Sequence, residues 1–374
     1  MIESIKKQYP AYYAIIAVLL TSLIFFFILS KQEKRILAQI SSGERPMITP
    51  KIVAQNTAGS NTTTSTPLSE NNEAPLPTNT NTNANVANSN EKTIVRSNGN
   101  GYTHPLLLVE TVKPAESFTS LDLSLGQIIE ENKNNGKVQS ASVYIMDLDN
   151  DKWTDVNNKE GYYPGSLMKL AVFMCYLKKS EEHPEILSKT LKLESNTSVP
   201  SQTYKDQQII PNVPYKVSDL FYPMIVRSDN FATLLLNREL DINELNTLFM
   251  TLGIRKMDMQ NIKYTITAGD YSKFMRVLYN STYLNAKNSQ YALSMLTNST
   301  FHSGLTRDLP KTVVVAHKFG ENVSGDVRQL HESGIVYTGA HTYLITVMTK
   351  GNKVTDLADV ICNISNKAYQ YFTL

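Results

Sequence analysis

The sequence predicts an α+β domain over residues 117–374, in which both ends of the domain join one antiparallel sheet that packs against helices, with an all-helical lobe between them. Three observations carry this. Residues 141–148 alternate like a strand and return through 152–156; residues 312–317, 334–337 and 341–349 are again strand-like; and the intervening block, about 217–283, has helical spacing. Strands at the two ends with helices between them give a sheet that unites distant parts of the chain.

The elements follow in order. Residues 1–10 form a short N-terminal flank, expected to be cytoplasmic. Residues 11–30 carry no charge and, at about 1.5 Å per residue, span a bilayer core of about 30 Å, so one uncleaved transmembrane helix is expected there. Lys6 and Lys7 precede it and Lys31, Lys34 and Arg35 follow it, so charge alone leaves the orientation open. From 31 to 116 Asn, Thr, Ser and Pro dominate, and such a stretch buries too little apolar surface to offset the entropy of ordering it; a disordered tether is expected.

The folded domain opens with helical spacing over 121–131, stopped at Gly136. Ala141–Leu148 and Lys152–Val156 then make a hairpin across Asp149-Asn150-Asp151. An apolar helix runs from Ser166 to Lys178, and an amphipathic helix at 356–369 closes the chain after the late strands.

Composition excludes several functions. The formal charge is +2 with no basic stripe, so no nucleic-acid partner is expected. Cys175 and Cys362 form no CxxC pair, and the six histidines show no metal-ligand spacing, so no metal and no cofactor are expected. The two cysteines fit as buried small apolar residues, and a disulfide between them stays open.

Chemistry concentrates in three short motifs. Ser166-Leu167-Met168-Lys169 sets a serine and a lysine on one helical face, so that the amine can take the hydroxyl proton at a helix N-terminus. Ser228-Asp229-Asn230 opens a second helix, offering a hydroxyl that can relay a proton and an amide that can hold a peptide-like substrate. Lys318-Phe319-Gly320, after the strand 312–317, offers a positive charge and a glycine beside a strand edge.

In that order these motifs resemble those of the class A β-lactamase and penicillin-binding protein superfamily, active-site serine hydrolases with S-x-x-K, S-D-N and K-T-G motifs. The resemblance covers roughly 117–374 and extends to Leu305–Pro310, Thr265–Tyr271 and the strand 341–349. It implies a β-lactamase-like fold and a hydrolase in which Ser166 attacks a β-lactam or D-alanyl carbonyl to form an acyl-enzyme. Lys169 would be the base and Ser228 would protonate the leaving nitrogen, while Asn230, Lys318 and Gly320 would bind substrate. The oxyanion donors would be the Ser166 N–H and one near Glu332–Gly334. A β-lactam or peptidoglycan peptide as partner places the domain outside the cytoplasm, on a single-pass cell-membrane protein.

The sequence departs from that pattern twice. Between Gly253 and Tyr264 stands Asp258 but no glutamate to activate a deacylating water, and Glu239 and Glu244 lie earlier, as solvated charges. Phe319 stands where a hydroxyl residue would contact a substrate carboxylate, and His302-Ser303-Gly304, Ser324 and Arg328 are the substitutes in view. These departures favour an alternative: a penicillin- or peptidoglycan-binding protein that deacylates slowly or not at all.

Overall fold

In a computed structural model of the chain, the residues described are 93–96, 102–103, 106–110, 118–195, 197–257 and 264–373. The expected transmembrane helix at 11–30 lies outside them; among the described residues no helix is long and apolar enough to cross a membrane.

Two short strands come first, β1 (Thr93–Arg96) and β2 (Leu106–Glu110), paired antiparallel. Between them Tyr102 and Thr103 donate their N–H groups to Gln290 Oε1 at 2.6 and 3.0 Å, and Tyr337 Oη donates to the Tyr102 carbonyl at 2.9 Å. The stretch 31–116 is therefore not uniformly unstructured: the domain takes hold of the chain at Tyr102, whose ring lies 5.7 Å from that of Tyr337. Averaged over 31–116, composition hides the apolar run Leu106–Val109 that forms β2, which is why composition alone pointed to a tether.

The domain proper runs α1 (Thr119–Asn134), β3 (Ser140–Asp147), β4 (Trp153–Val156), a 3-10 turn (Gly165–Leu167), α2 (Met168–Ser180), β5 (Thr190–Lys192) and β6 (Pro214–Lys216). It continues with α3 (Val217–Ile225), α4 (Asn230–Glu239), α5 (Ile242–Thr251), α6 (Ala268–Tyr279), α7 (Ala286–Leu296), β7 (Val314–Ser324), β8 (Val327–Tyr337), β9 (Thr342–Gly351) and α8 (Val354–Thr373). The main sheet has the order β4-β3-β9-β8-β7, antiparallel throughout, so the first and last thirds of the domain meet where β3 pairs with β9.

Strand period divides the core. Val143, Ile145, Ile345 and Val347 point to one face, under α1 and α8, whereas Met146, Leu344 and Met348 point to the other, toward the helical lobe. Helix α2 runs through the centre of that lobe: Lys169 to Leu177 are all buried, so it is apolar on every side.

Two strands exceed the sequence expectation. β7 continues past His317 to Ser324, and β8 starts at Val327 rather than Gly334. The added residues include polar side chains that are buried, such as Lys318, His331, Glu332 and Ser333, so apolar alternation fails where the pairing continues. Lys318 and Gly320 accordingly lie inside an edge strand and not at its end.

Candidate active site

The chain turns sharply ahead of Ser166. Gly165 has φ +52°, and a Cβ there would stand 2.2 Å from the Glu321 carbonyl oxygen, so only glycine fits. Ser166 lies in the 3-10 turn that feeds α2, two residues before the α-helix proper, and Lys169 follows three residues later in the first turn of that helix. Ser166 is half-buried and Lys169 is 3% exposed.

Behind that turn runs β7. A Cβ on Gly320 would sit 2.5 Å from the Pro164 carbonyl oxygen and 2.7 Å from Leu167. Gly320 therefore packs against the turn that carries the serine; its missing side chain is filled by protein, not by an approaching substrate backbone.

The second motif supplies the centre of the site. Ser228 has φ +55°, a left-handed conformation that costs about 1–2 kcal/mol in a residue with a Cβ. The surroundings hold it there: Asp229 caps α4 by accepting from Phe231 N at 2.7 Å and Ala232 N at 3.1 Å, and its other oxygen accepts from Ile209 N at 2.6 Å. The result aims both Ser228 oxygens at Lys169.

Lys169 Nζ donates to the Ser228 carbonyl at 2.5 Å, to Asn230 Oδ1 at 2.7 Å and to Ser228 Oγ at 3.1 Å. Lys318 Nζ donates to the same Ser228 Oγ at 3.0 Å and to its neighbour's carbonyl, Phe319 O, at 2.9 Å. Ser228 Oγ thus bridges two amines; with both lone pairs occupied, its own proton is free to point into the cleft. Among the described residues no hydrogen bond joins Ser166 Oγ to Lys169 Nζ.

Burial sets the protonation of both lysines. Desolvation lowers Lys169 from 10.5 to about 7, against the opposing charge of Asp229. Lys318, fully buried, is held well below the usual lysine range by desolvation and then by the positive charge of Lys169, with Glu332 opposing.

The sheet also brings backbone groups of β7 to this turn. Because Phe319 O accepts from Lys318 Nζ, Phe319 turns its backbone polar groups to the free edge of β7, and the two-residue period turns Glu321 the same way. The Glu321 backbone thus lies beside Gly165, at the turn that carries Ser166. Glu332–Gly334, the neighbourhood expected for the second donor, lie on the adjacent strand β8. There Glu332 accepts from Leu305 N at 2.8 Å and lies 2.6 Å from His317 Nδ1, a buried pair that sequence reasoning did not find.

The candidates for the missing hydroxyl are elsewhere engaged. Phe319 stacks on Phe301 at 4.3 Å, Arg328 Nη1 donates to Gly325 O at 2.6 Å in the β7–β8 turn, and Ser324 ends that hairpin. His302 and Ser303 line a cavity of about 310 Å³ beside Phe319. Glu239 pairs with Lys189 at the surface, as expected of a solvated charge, whereas Glu244, paired with Lys179 at 2.6 Å, keeps its second carboxylate oxygen buried; Asp258 lies outside the described residues. Both cysteines are buried and free.

A lysine and a serine on one turn, met by a serine and an asparagine from a helix N-terminus and a lysine from an edge strand, agree with the family comparison, in which the model described as "Beta-lactamase enzyme family" matches residues 124–372. The chain belongs to the β-lactamase enzyme family. Among solved structures it is similar to a variant of PBP-A captured as its acyl-enzyme with penicillin G (22% identity, 70% of this chain and 99% of that one, TM-score 0.58). It is similar also to the TLA-1 extended-spectrum β-lactamase (20%, 69% and 100%, TM-score 0.58) and to a β-lactamase from Sphaerobacter thermophilus (18%, 66% and 96%, TM-score 0.56). At these identities the likeness is one of fold. No curated protein matches. The β-lactamase-like α+β fold expected from the sequence is the fold observed.

Proposed function

We propose that this member of the β-lactamase family is a serine hydrolase that acylates itself through Ser166. The observation that carries this is the pair of buried lysines on Ser228 Oγ beside the turn of Ser166. Neutral Lys169 takes the Ser166 Oγ proton as Oγ bonds to the carbonyl carbon, and the oxyanion is received by the N–H groups of Ser166 and Glu321. The tetrahedral intermediate collapses with cleavage of the C–N bond. The proton returns from Lys169 through Ser228 Oγ to the leaving nitrogen, which balances the step. Asn230, whose Oδ1 orients Lys169, binds the substrate amide, and Lys318 shapes the field around Ser228.

The substrate class is a β-lactam or the D-alanyl peptide it mimics, and the domain acts outside the cytoplasm on a membrane tether formed by 11–30 and the segment that follows. Water then cleaves the ester. The absence of a glutamate between Gly253 and Tyr264 supports the second reading, a penicillin- or peptidoglycan-binding protein that deacylates slowly. Intact mass after exposure to labelled penicillin tests both. An adduct lost in Ser166→Ala supports acylation, its decay or persistence separates hydrolase from binder, and no adduct on prolonged exposure refutes the proposal.

A further inference from the structure

Along the Lys318–Glu321 stretch, beside Gly165, the free edge of β7 itself presents no exposed cation and no hydroxyl to an acyl donor. Lys318 is fully buried, and its Nζ is spent on Ser228 Oγ and Phe319 O. The Phe319 ring stands over that amine, 4.4 Å from Nζ to the ring centroid. Phe319 is itself fixed, stacked on Phe301 with an interplanar angle of 18° and meeting Tyr204 edge-on at 6.1 Å. An aromatic face thus covers the one lysine on this strand that could have met an anion.

Two residues on, on the same side of the strand, stands a negative charge. The Glu321 carboxylate accepts from Thr203 N at 2.8 and 3.1 Å and from Thr203 Oγ1. That contact ties the segment 200–204 across the cleft, where Asn230 Nδ2 also donates to Pro200 O at 2.9 Å. Of the other bases near the strand, Lys205, Arg227 and His302 line the cavity beside Phe319, and three bases are held by partners. Arg227 Nη1 faces Gln207 Oε1 at 3.3 Å with its guanidinium over the Tyr222 ring, and Arg328 closes the hairpin turn. His331, opposite Gly320, accepts from Thr349 N at Nδ1 and therefore donates from Nε2 to Tyr163 O, which fixes it as a neutral ring.

A carboxylate placed beside the reacting carbonyl would lose its hydration against the Phe319 ring, find no cation on this stretch of the strand, and face Glu321. An ester, an amide or an internal peptide bond loses far less. We infer that this site takes acyl donors that are uncharged beside the scissile bond and discriminates against those with a free carboxylate there, Phe319 and Glu321 setting the choice. The inference rests on Ser166 being the acylating nucleophile.

The test uses the full chain, intact mass, and three probes: an alkyl fluorophosphonate, which phosphonylates a reactive serine with loss of fluoride, penicillin G as the free acid, and its methyl ester. The ester is expected to acylate Ser166 at least about tenfold faster than the acid, the low end for leaving a charged group unpaired. Glu321→Gln keeps an acceptor for Thr203 and removes the charge, so the acid-to-ester rate ratio should rise several-fold; Phe319→Thr should raise it further. The inference is overturned if the acid reacts as fast as the ester in the wild-type chain, or if neither substitution moves the ratio. It is overturned also if the fluorophosphonate labels Ser166 while neither lactam does. Failure of the fluorophosphonate to label Ser166 overturns the nucleophile itself, a separate outcome.

Discussion

Lys169 titrates near neutrality in the folded chain and near 10.5 when exposed, and this difference must appear both in stability and in rate. The folded-state value is depressed, so between about 7 and 10.5 the unfolded chain binds the extra proton, and stability rises with pH across that window. Each pH unit within it is worth about 1.4 kcal/mol, so pH 7 to pH 9 should add roughly 2–3 kcal/mol to the wild type relative to Lys169→Met, which has nothing to titrate. Urea unfolding of both proteins at several pH values measures this, and the difference between them cancels every other titrating group they share. The same deprotonation governs acylation: going from pH 6 to pH 8 converts a mostly charged base into a mostly neutral one, so the rate should climb about tenfold and level off. Lys169→Arg, charged at every accessible pH, should lose about 10²–10⁴-fold with no such midpoint. A stability difference that stays flat within about 0.5 kcal/mol from pH 7 to 9, together with a pH-independent acylation rate, would refute the assignment of Lys169 as a neutral base.

Three further outcomes follow from the packing. Gly320→Ala forces a methyl group to 2.5 Å from Pro164 O, so it should cost about 1–3 kcal/mol in urea unfolding and slow acylation by displacing the Ser166 turn. Glu332→Ala strips the acceptor from the buried Leu305 N–H and leaves His317 unpaired, and should lower stability by about 3–5 kcal/mol, whereas Glu332→Gln, keeping one acceptor, should lose markedly less. Cys175 and Cys362 are buried, and desolvation pushes both thiols up to about 12; native protein should therefore resist a thiol-specific disulfide reagent that consumes two equivalents once the chain is unfolded in urea.

The parts of the site that the sequence disclosed are those whose geometry is local. Ser166 and Lys169 are brought together by one turn, and Asp229 announces the helix that carries Asn230 because capping requires that residue type there. Which motifs converge came from their order alone, and the network of Lys169, Ser228, Asn230 and Lys318 agrees with it. What stayed hidden depends on register or on irregular loops. His317 meets Glu332 only because β7 and β8 pair in a register that polar, buried residues conceal from apolar alternation. Glu321 meets Thr203 across a long separation in the chain, through a segment with no periodicity at all.

Phe319 shows the same limit from the other side. In the sequence it is a missing hydroxyl, an isolated loss at a position where a polar contact belongs. In the fold its ring joins Phe301 and Tyr204 in one aromatic cluster and shields the Lys318 amine that a smaller residue would leave open. Restoring a hydroxyl alone would therefore not restore an anion site. Phe319→Thr would open a gap against Phe301, and Lys318 would still be shared between Ser228 and the main chain, with Glu321 still two residues away. Charge discrimination along this strand is thus shared by three neighbours, so either single substitution should weaken it and the pair, at Phe319 and Glu321, should weaken it most.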